Sequence, residues 1–175
     1  PRDQVSVRRV ENVLWHAAVA AWAWSCGYAM VRGSDLFWHV ANGRLILDTR
    51  SIPTRDPWSF TAFGKPWLRH EWLADLIFAT WSSLFGLESL VYWKWLTIVA
   101  VFLLLFRAIR ATGADPLSSF AAVALASATS SPFLDMRPHL GSLLGFALLL
   151  AMMFRPTRPP WGIAAVFLVW ANFHG

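Results

Sequence analysis

Asp35 and His39 are the residues whose types and spacing most directly indicate chemistry. They are four positions apart, so on a helix they lie on the same face. A carboxylate in a partly desolvated site can accept a proton from an attacking hydroxyl, and a histidine beside it can orient or tune it. The alternative is that Asp35 only begins a helix and that His39 lies at the level of lipid headgroups. The spacing alone leaves both interpretations open.

The segment RHEWLAD brings His70, Glu71 and Asp75 within two helical turns. A zinc peptidase of the His-Glu-x-x-His type needs a second histidine at position 74, where this chain has Ala74, so that class is excluded. Glu71 and Asp75 are one turn apart and either hold a divalent metal or form a solvated face. No ligand set is complete, so we predict no metal ligand and the cofactor stays unknown.

Other polar side chains are candidates for substrate contact. Arg137 and His139, in DMRPHLG, can grip a phosphate, Arg137 through its planar fork, or they mark a membrane boundary beside a proline turn. His174 ends the last apolar segment, as a group of the site or as an interfacial anchor. Asp56 precedes a proline in RDPWSF, where aspartate is an ordinary turn residue.

The composition indicates that a membrane surrounds these residues. The chain has 175 residues, 57% hydrophobic and 14% charged, with 12 Trp, 13 Phe and a mean hydropathy of +0.46. Soluble domains carry about 45–50% apolar and about 25% charged residues. The single Cys26 excludes a disulfide framework and a cysteine zinc site. The net charge is +5, but the cations stand singly or in pairs between apolar stretches, which is typical of membrane flanks and not of a nucleic-acid-binding face.

The apolar stretches predict an all-α integral membrane protein with about five spans. The domains are 1–32, with an N-terminal tail and the first span; 33–86, a long loop; and 87–175, with the other four spans. The spans themselves are predicted at about 10–30, 87–106, 116–131, 140–154 and from 161 onwards. The chain begins with Pro1, and its last segment rises only about 22 Å. We therefore expect a piece of a longer protein.

The loop 33–86 is too polar to span a membrane and too aromatic for a solvated linker. We predict two interfacial helices in it, at 36–47 and 67–85, with Pro66 as the first residue of the second. Apolar residues of the second helix keep helical spacing, and Arg69, Glu71 and Asp75 fall mostly off that stripe. The Lys/Arg bias of the other connections predicts a cytoplasmic N-terminus with this loop outside.

Four segments together resemble a known family. In order they read SDLFWHVANGRLI, IPTRDPWSFTAFGKPWLRHEWL, RPHLGSLLGFALLL and FLVWANFHG. This succession, spread over about 33–175, resembles a group of bacterial multi-pass membrane proteins usually assigned to the GT-C superfamily of glycosyltransferases. Two features differ: several members carry two adjacent acids at the first-loop site, and members commonly have more spans.

The resemblance implies an activity and a place. Such enzymes, in the bacterial inner membrane, move a sugar from a polyprenyl-phosphate lipid to an acceptor on the outer side. An acidic residue where the first span ends is thought to activate the acceptor hydroxyl, and here that position is Asp35. By the same analogy Asp56 and Glu71 become supporting or metal candidates. Candidates for the lipid phosphate are Lys65, Arg69, Arg137 and His139, and His70 and His174 complete the candidate site.

A second hypothesis is a non-catalytic transmembrane subunit that packs on a larger membrane complex. The twelve Trp, the Ala- and Ser-rich third span and the short chain favour it. A transporter is the weaker third hypothesis, because no charged pair is expected near the middle of the bilayer and the spans lack corresponding Gly/Pro interruptions. Membrane lipids are partners in every case, and nucleic acid is not.

Overall fold

The computed structural model describes residues 2–28, 35–154 and 160–174. These residues form seven α-helices and two single-turn 3₁₀ helices and contain no β-strand, which confirms the all-α prediction. The predicted boundary between the first span and the long loop, at 32/33, lies outside the described residues. The helices are α1 (Arg2–Gly27), α2 (Asp35–Thr49), α3 (Trp72–Phe85), α4 (Leu90–Ala111), α5 (Pro116–Ser130), α6 (His139–Met153) and α7 (Pro160–Phe173), with 3₁₀ turns at Leu87–Ser89 and Ser131–Phe133.

The larger of two cores lies between α1, α4, α5 and α6. Helix α1 runs antiparallel to α4, because Gly27 accepts a 2.7 Å hydrogen bond from Trp95 Nε1 while the ring of His16 lies 5.3 Å from that of Phe106. Apolar side chains fill the space between these helices. They are Val19, Ala23, Ile98, Val101, Phe102, Phe106, Val123, Leu134, Leu140 and Ala147.

The smaller core joins α2 and α3 to the start of α4 and the end of α7. Gly43 allows α2 to approach α3 closely, since a Cβ there would lie 1.9 Å from the carbonyl oxygen of Asp75 and 2.5 Å from the Cβ of Ala79. Phe78 lies at the centre, with its ring against Trp93 and Phe173. This core therefore fixes the position of α2 relative to the ends of α3 and α7.

The segment before α3 differs from the prediction. The helix begins at Trp72 instead of 67, because the chain around Pro66 pairs with an earlier strand-like stretch: Arg55 and Pro66 form an isolated β-bridge, and Trp67 N–H donates to Thr54 O at 2.9 Å. Asp75, predicted off the apolar stripe, is fully buried. Both differences arise from contacts far apart in sequence.

Among the residues that the structure describes, one helical stretch, Leu87–Ala111, is long and apolar enough to cross a membrane. Trp72–Phe85, His139–Met153 and Trp161–Phe173 are apolar but shorter. A helix of about 15 residues rises about 22 Å, less than the about 30 Å of bilayer hydrocarbon. The five predicted spans therefore stay a prediction, and most of the connection between the fourth and the fifth, at 155–159, lies outside the described residues.

Candidate functional site

A polar cavity of about 570 Å³ opens where the start of α2, the segment before α3, the turn before α6 and the end of α7 meet. Seven of the ten site residues predicted from sequence line it, although they come from four separate parts of the chain. The lining residues are Asp35, Trp38, His39, Arg69, Glu71, Arg137, Pro138, His139 and His174.

The floor of the cavity is a buried cluster of His39, Arg69 and Asp75. His39 Nδ1 lies 2.6 Å from Asp75 Oδ1, and Arg69 binds both oxygens of the same carboxylate through Nε and Nη2. Asp75 is 0% exposed, and Arg69 and His39 are 9% and 5% exposed. The guanidinium also stacks on Trp67, with Cζ 5.0 Å from the ring centroid. The fork of Arg69, predicted to bind a lipid phosphate, is therefore engaged by Asp75.

The contacts of His39 determine which of its ring nitrogens carries the proton in the neutral state. Arg69 Nη2 lies 2.9 Å from Nδ1, and Asp75 Oδ1 lies 2.6 Å from the same atom. These two contacts favour opposite tautomers, because a guanidinium can only donate and a carboxylate can only accept. The carboxylate is the nearer partner, and Arg69 Nη2 also donates to that carboxylate, so a protonated Nδ1 that donates to Asp75 satisfies the closer contact. We therefore assign the proton to Nδ1, which leaves Nε2 as an acceptor.

Asp35 and Arg137 face each other across the mouth of the cavity. Arg137 Nη2 lies 3.3 Å from Asp35 Oδ2, and the side chains are 45% and 49% exposed. Such half-exposed ion pairs contribute little to stability because water screens them. An incoming anion can therefore reach Arg137 beside the Asp35 carboxylate.

His174 and Glu71 form the opposite wall. Trp170 Nε1 donates to Ser142 Oγ, and the same hydroxyl shares a 2.7 Å hydrogen bond with His174 Nδ1. His174 Nε2 lies 3.7 Å from Glu71 Oε1. Partial burial lowers the pKa of His174, and the nearby Glu71 carboxylate opposes that shift only in part.

His139 lines the cavity, and one of its ring nitrogens is already hydrogen-bonded to the backbone. Its Nε2 is hydrogen-bonded to the carbonyl oxygen of Phe133, which can only accept, so Nε2 carries the proton. In its neutral form His139 has no second N–H to offer a phosphate. Arg137 is thus the cavity-lining cation that stays accessible to an anion.

Asp56, Lys65 and His70 do not line the cavity. Asp56 closes a turn: its carboxylate accepts from the backbone N–H of Trp58 at 2.8 Å and of Ser59 at 2.9 Å. Hydrogen bonding by Ser59 is the main reason that the pKa of Asp56 lies below its usual value. Lys65 and His70 are exposed. These placements favour the structural interpretation of Asp56.

Asp75 has a different role from the one that its spacing predicts. The spacing pairs it with Glu71, whereas its partners in the structure are Arg69 and His39. A signal was present, because Asp75 is a lone charge in the apolar run WLADLIF, and an ionisable residue in such a run indicates a functional site. No group of three or more His, Cys, Asp or Glu able to hold a metal occurs among the described residues.

An apolar groove of about 380 Å³ adjoins the polar cavity between α4, α6 and α7. Arg137 lines both, so the groove begins at the cation that is accessible to an anion. Its walls include Trp93, Leu144, Val169 and Phe173. The combination of a cationic mouth and an apolar channel suits an amphipathic ligand with an anionic head.

Comparison with protein-family models, curated proteins and solved structures finds no match to this chain.

Proposed function

We propose that this chain is the N-terminal part of a GT-C-like membrane glycosyltransferase of the bacterial inner membrane. It takes a sugar from a polyprenyl-phosphate lipid and transfers it to an acceptor on the outer side. The observation that carries the proposal is the polar cavity joined at Arg137 to an apolar groove. Arg137 binds the lipid phosphate, the groove receives the first part of the polyprenyl chain, and the cavity receives the sugar and the acceptor.

The distribution of charge along α4 supports a multi-pass protein with a cytoplasmic N-terminus. The start of α4 packs near the cavity, while Arg110 at its other end lies with Arg8 and Arg9 around a second polar pocket. Leu90 and Arg110 are about 30 Å apart along the helix, which matches the hydrocarbon thickness. Arginines gathered at the end away from the cavity fit the cytoplasmic side.

The proposed reaction needs one base and one cation. The acceptor oxygen attacks the anomeric carbon, the bond from that carbon to the phosphate oxygen breaks, and the lipid phosphate leaves with the electron pair. Arg137 stabilises the charge of the leaving phosphate. The hydroxyl proton passes to a base on the cavity-facing turn of α2; Asp35 is the base that the family resemblance implies, and His39 is a second acceptor on the same turn.

Lipid binding to the full-length protein tests the proposal. We expect native mass spectrometry of protein released gently from its membrane to find a polyprenyl-phosphate lipid at a mass that reports its sugar. Arg137→Gln should weaken binding of added polyprenyl phosphate at least about tenfold, because a charge-assisted hydrogen bond is lost. Lys65→Gln, which removes an exposed cation outside the cavity, is the matched control. Equal affinity of the Arg137 variant and the control would contradict the proposal.

A second candidate function is an accessory subunit of a membrane complex. The observation that favours it is the exposed apolar surface of the loop before α3, where Phe60 is 101%, Phe63 73% and Leu68 85% exposed. Contiguous exposed apolar side chains mark protein or membrane contact sites. Stoichiometric protein partners without a bound polyprenyl lipid would support this function and oppose the transferase.

A further inference from the structure

The geometry points to His39 Nε2 as the atom that accepts the hydroxyl proton, with Asp75 and Arg69 as positioning residues that keep Nε2 unprotonated and in place. This inference rests on the proposed glycosyl transfer and deepens it by naming the base. It gives a role to Asp75, a residue that touches neither the acceptor nor the lipid.

The buried carboxylate fixes the ring of His39. Asp75 Oδ1 receives the Nδ1 proton at 2.6 Å, while the two-point contact from Arg69 fixes the carboxylate. The edge of the His39 ring also meets the face of Phe78, with centroids 6.1 Å apart. A ring held on both sides keeps its orientation, which a proton acceptor requires.

The charges of the cluster suit a proton that arrives on Nε2. Asp75 and Arg69 cancel each other while His39 is neutral, and the Asp75 carboxylate remains beside the ring when it becomes an imidazolium. The other charged and titratable side chains of the cavity lie at the start of α2, just before α3, just before and at the start of α6, and directly after α7. They are Asp35, Glu71, Arg137, His139 and His174.

Asp35 has a different partner. Its Oδ2 faces Arg137 at 3.3 Å, so its carboxylate positions the cation that binds the lipid phosphate. His39 Nδ1 faces the protein interior and Nε2 is the nitrogen left for the cavity. The two acids and the histidine thus have different roles in the proposed reaction. Asp35 orients Arg137, Asp75 orients His39, and His39 accepts the proton of the acceptor hydroxyl.

The step balances without a further reactant. The acceptor O–H bond breaks and its proton joins Nε2, the oxygen forms a bond to the anomeric carbon, and the carbon–oxygen bond to the phosphate breaks. The leaving polyprenyl phosphate carries the electron pair. The imidazolium then returns its proton to water, which restores His39.

The tautomer of His39 is measurable independently of transfer. In the full-length protein labelled with ¹⁵N-histidine, nitrogen NMR separates protonated from unprotonated ring nitrogens, and the His39 signal is identified by its loss in His39→Gln. We expect the proton on Nδ1 in the wild type. In Asp75→Asn the amide donates to Nδ1 and moves the proton to Nε2. A wild-type proton on Nε2 would overturn the inference, whatever the protein catalyses.

Kinetics with polyprenyl-phosphate sugar supply the second readout. His39→Gln preserves the Asp75–Arg69 pair, so it keeps the fold even if Asp75→Asn, which leaves Arg69 buried without its counter-charge, does not. We expect His39→Gln to lower kcat at least about 100-fold. The KM for the lipid donor should stay within about threefold of the wild-type value, and His70→Gln, at an exposed histidine outside the cavity, should be unaffected. Where Asp75→Asn stays folded, the Asp75→Asn/His39→Gln double variant should lose no more kcat than His39→Gln alone, because both substitutions act through one atom.

The variant Asp35→Asn distinguishes the two candidate bases, Asp35 and His39. If Asp35 only orients Arg137, its variant should raise the KM for the lipid donor more than it lowers kcat. If Asp35→Asn loses kcat while His39→Gln retains it, Asp35 is the base and the inference is overturned. The wild-type protein could instead show the expected tautomer but neither bind lipid nor transfer a sugar. That result would contradict the proposed function and the role of His39 as a base. The contact between Asp75 and Nδ1 would still hold.

Discussion

Asp75 is a carboxylate with no exposed surface, and removing such a charge from water is costly unless other groups replace the solvent. Arg69 and His39 do so with three close contacts. An apolar cluster of the same volume would be about as stable or more stable, since buried ion pairs rarely exceed their desolvation cost. Stability alone therefore does not account for this cluster, and its place under the cavity agrees with a role in positioning His39.

His174 makes folding stability depend on pH. Burial lowers its pKa below the ordinary 6.5, so just below pH 6.5 the unfolded chain binds a proton that the folded chain does not. The free energy of unfolding therefore falls as the pH drops from about 6.5 towards the lowered folded pKa. We expect the thermal midpoint of the wild type to fall more between pH 7.5 and pH 5.5 than that of His174→Gln. Glutamine can still accept from Ser142, and identical losses in both proteins would refute this assignment.

At the scale of elements, glycines decide how closely the helices of the site approach. Gly43 sets α2 against α3, and a Cβ at Gly141 or Gly145 would lie 2.3 Å from the ring of Phe173 or 2.9 Å from that of Trp170. Gly141 and Gly145 both face aromatic side chains of α7, so the missing side chains allow α6 and α7 to approach closely. One contact places His39 beside Asp75, and the other places the end of α7 beside the start of α6.

Gly43→Ala should therefore affect both stability and the site. A methyl group 1.9 Å from the Asp75 carbonyl forces α2 away from α3, and overpacking of this kind costs about 1–3 kcal/mol or more. Arg44→Ala, at the exposed neighbouring position, should change the free energy of unfolding by no more than about 0.5 kcal/mol. Denaturant unfolding of the two variants measures the difference, and equal stability would show that the helices separate at no cost.

The last part of the segment FLVWANFHG connects α7 to the other elements around the cavity. Trp170 donates to Ser142 on α6, Asn172 accepts from Trp72 Nε1 on α3 at 2.9 Å, and His174 lies against Glu71. These contacts explain how the end of α7 closes the cavity. They join α7 to α6, to α3 and to the segment before α3 without a bound ligand.

At the scale of the whole molecule, the loop 54–67 is ordered but presents aromatic side chains outward. Backbone bonds from Trp67 to Thr54 and from Asp56 to Lys65 close it, and Trp58 Nε1 fastens it to Asn42 at 2.6 Å. Phe60 and Phe63 nevertheless remain exposed. A rigid loop with aromatic tips and nearby cations suits the headgroup region of a bilayer.

Insertion of this loop is testable with a spin label. In a Cys26→Ser background, a label at Phe60→Cys in the full-length protein in nanodiscs should be relaxed more by oxygen, which concentrates in lipid, than by a water-soluble nickel complex. A label at Ala111→Cys, exposed at the end of α4, should show the opposite preference. A label at position 60 that is freely accessible to nickel would show that the loop lies in water.

The sequence by itself determined the helical class and most of the residues that line the cavity. The apolar runs are local, and the i, i+4 spacing of Asp35 and His39 is fixed by the helix on which both lie. The apolar segment that forms α7 could be predicted for the same reason. Seven predicted residues line one cavity because their segments end at the same end of the fold.

Only the tertiary structure decided the partners within that cavity. The contacts of His39 with Arg69 and Asp75 join residues 30 and 36 positions apart, and they depend on the close approach of α2 and α3 at Gly43. The start of α3 likewise depended on pairing of residues 66–67 with 54–55, which competes with local helix propensity. Hydrophobic periodicity depends on residues close together in the sequence, so it can be predicted locally. Ion pairs and loop pairing depend on which surfaces come into contact after folding.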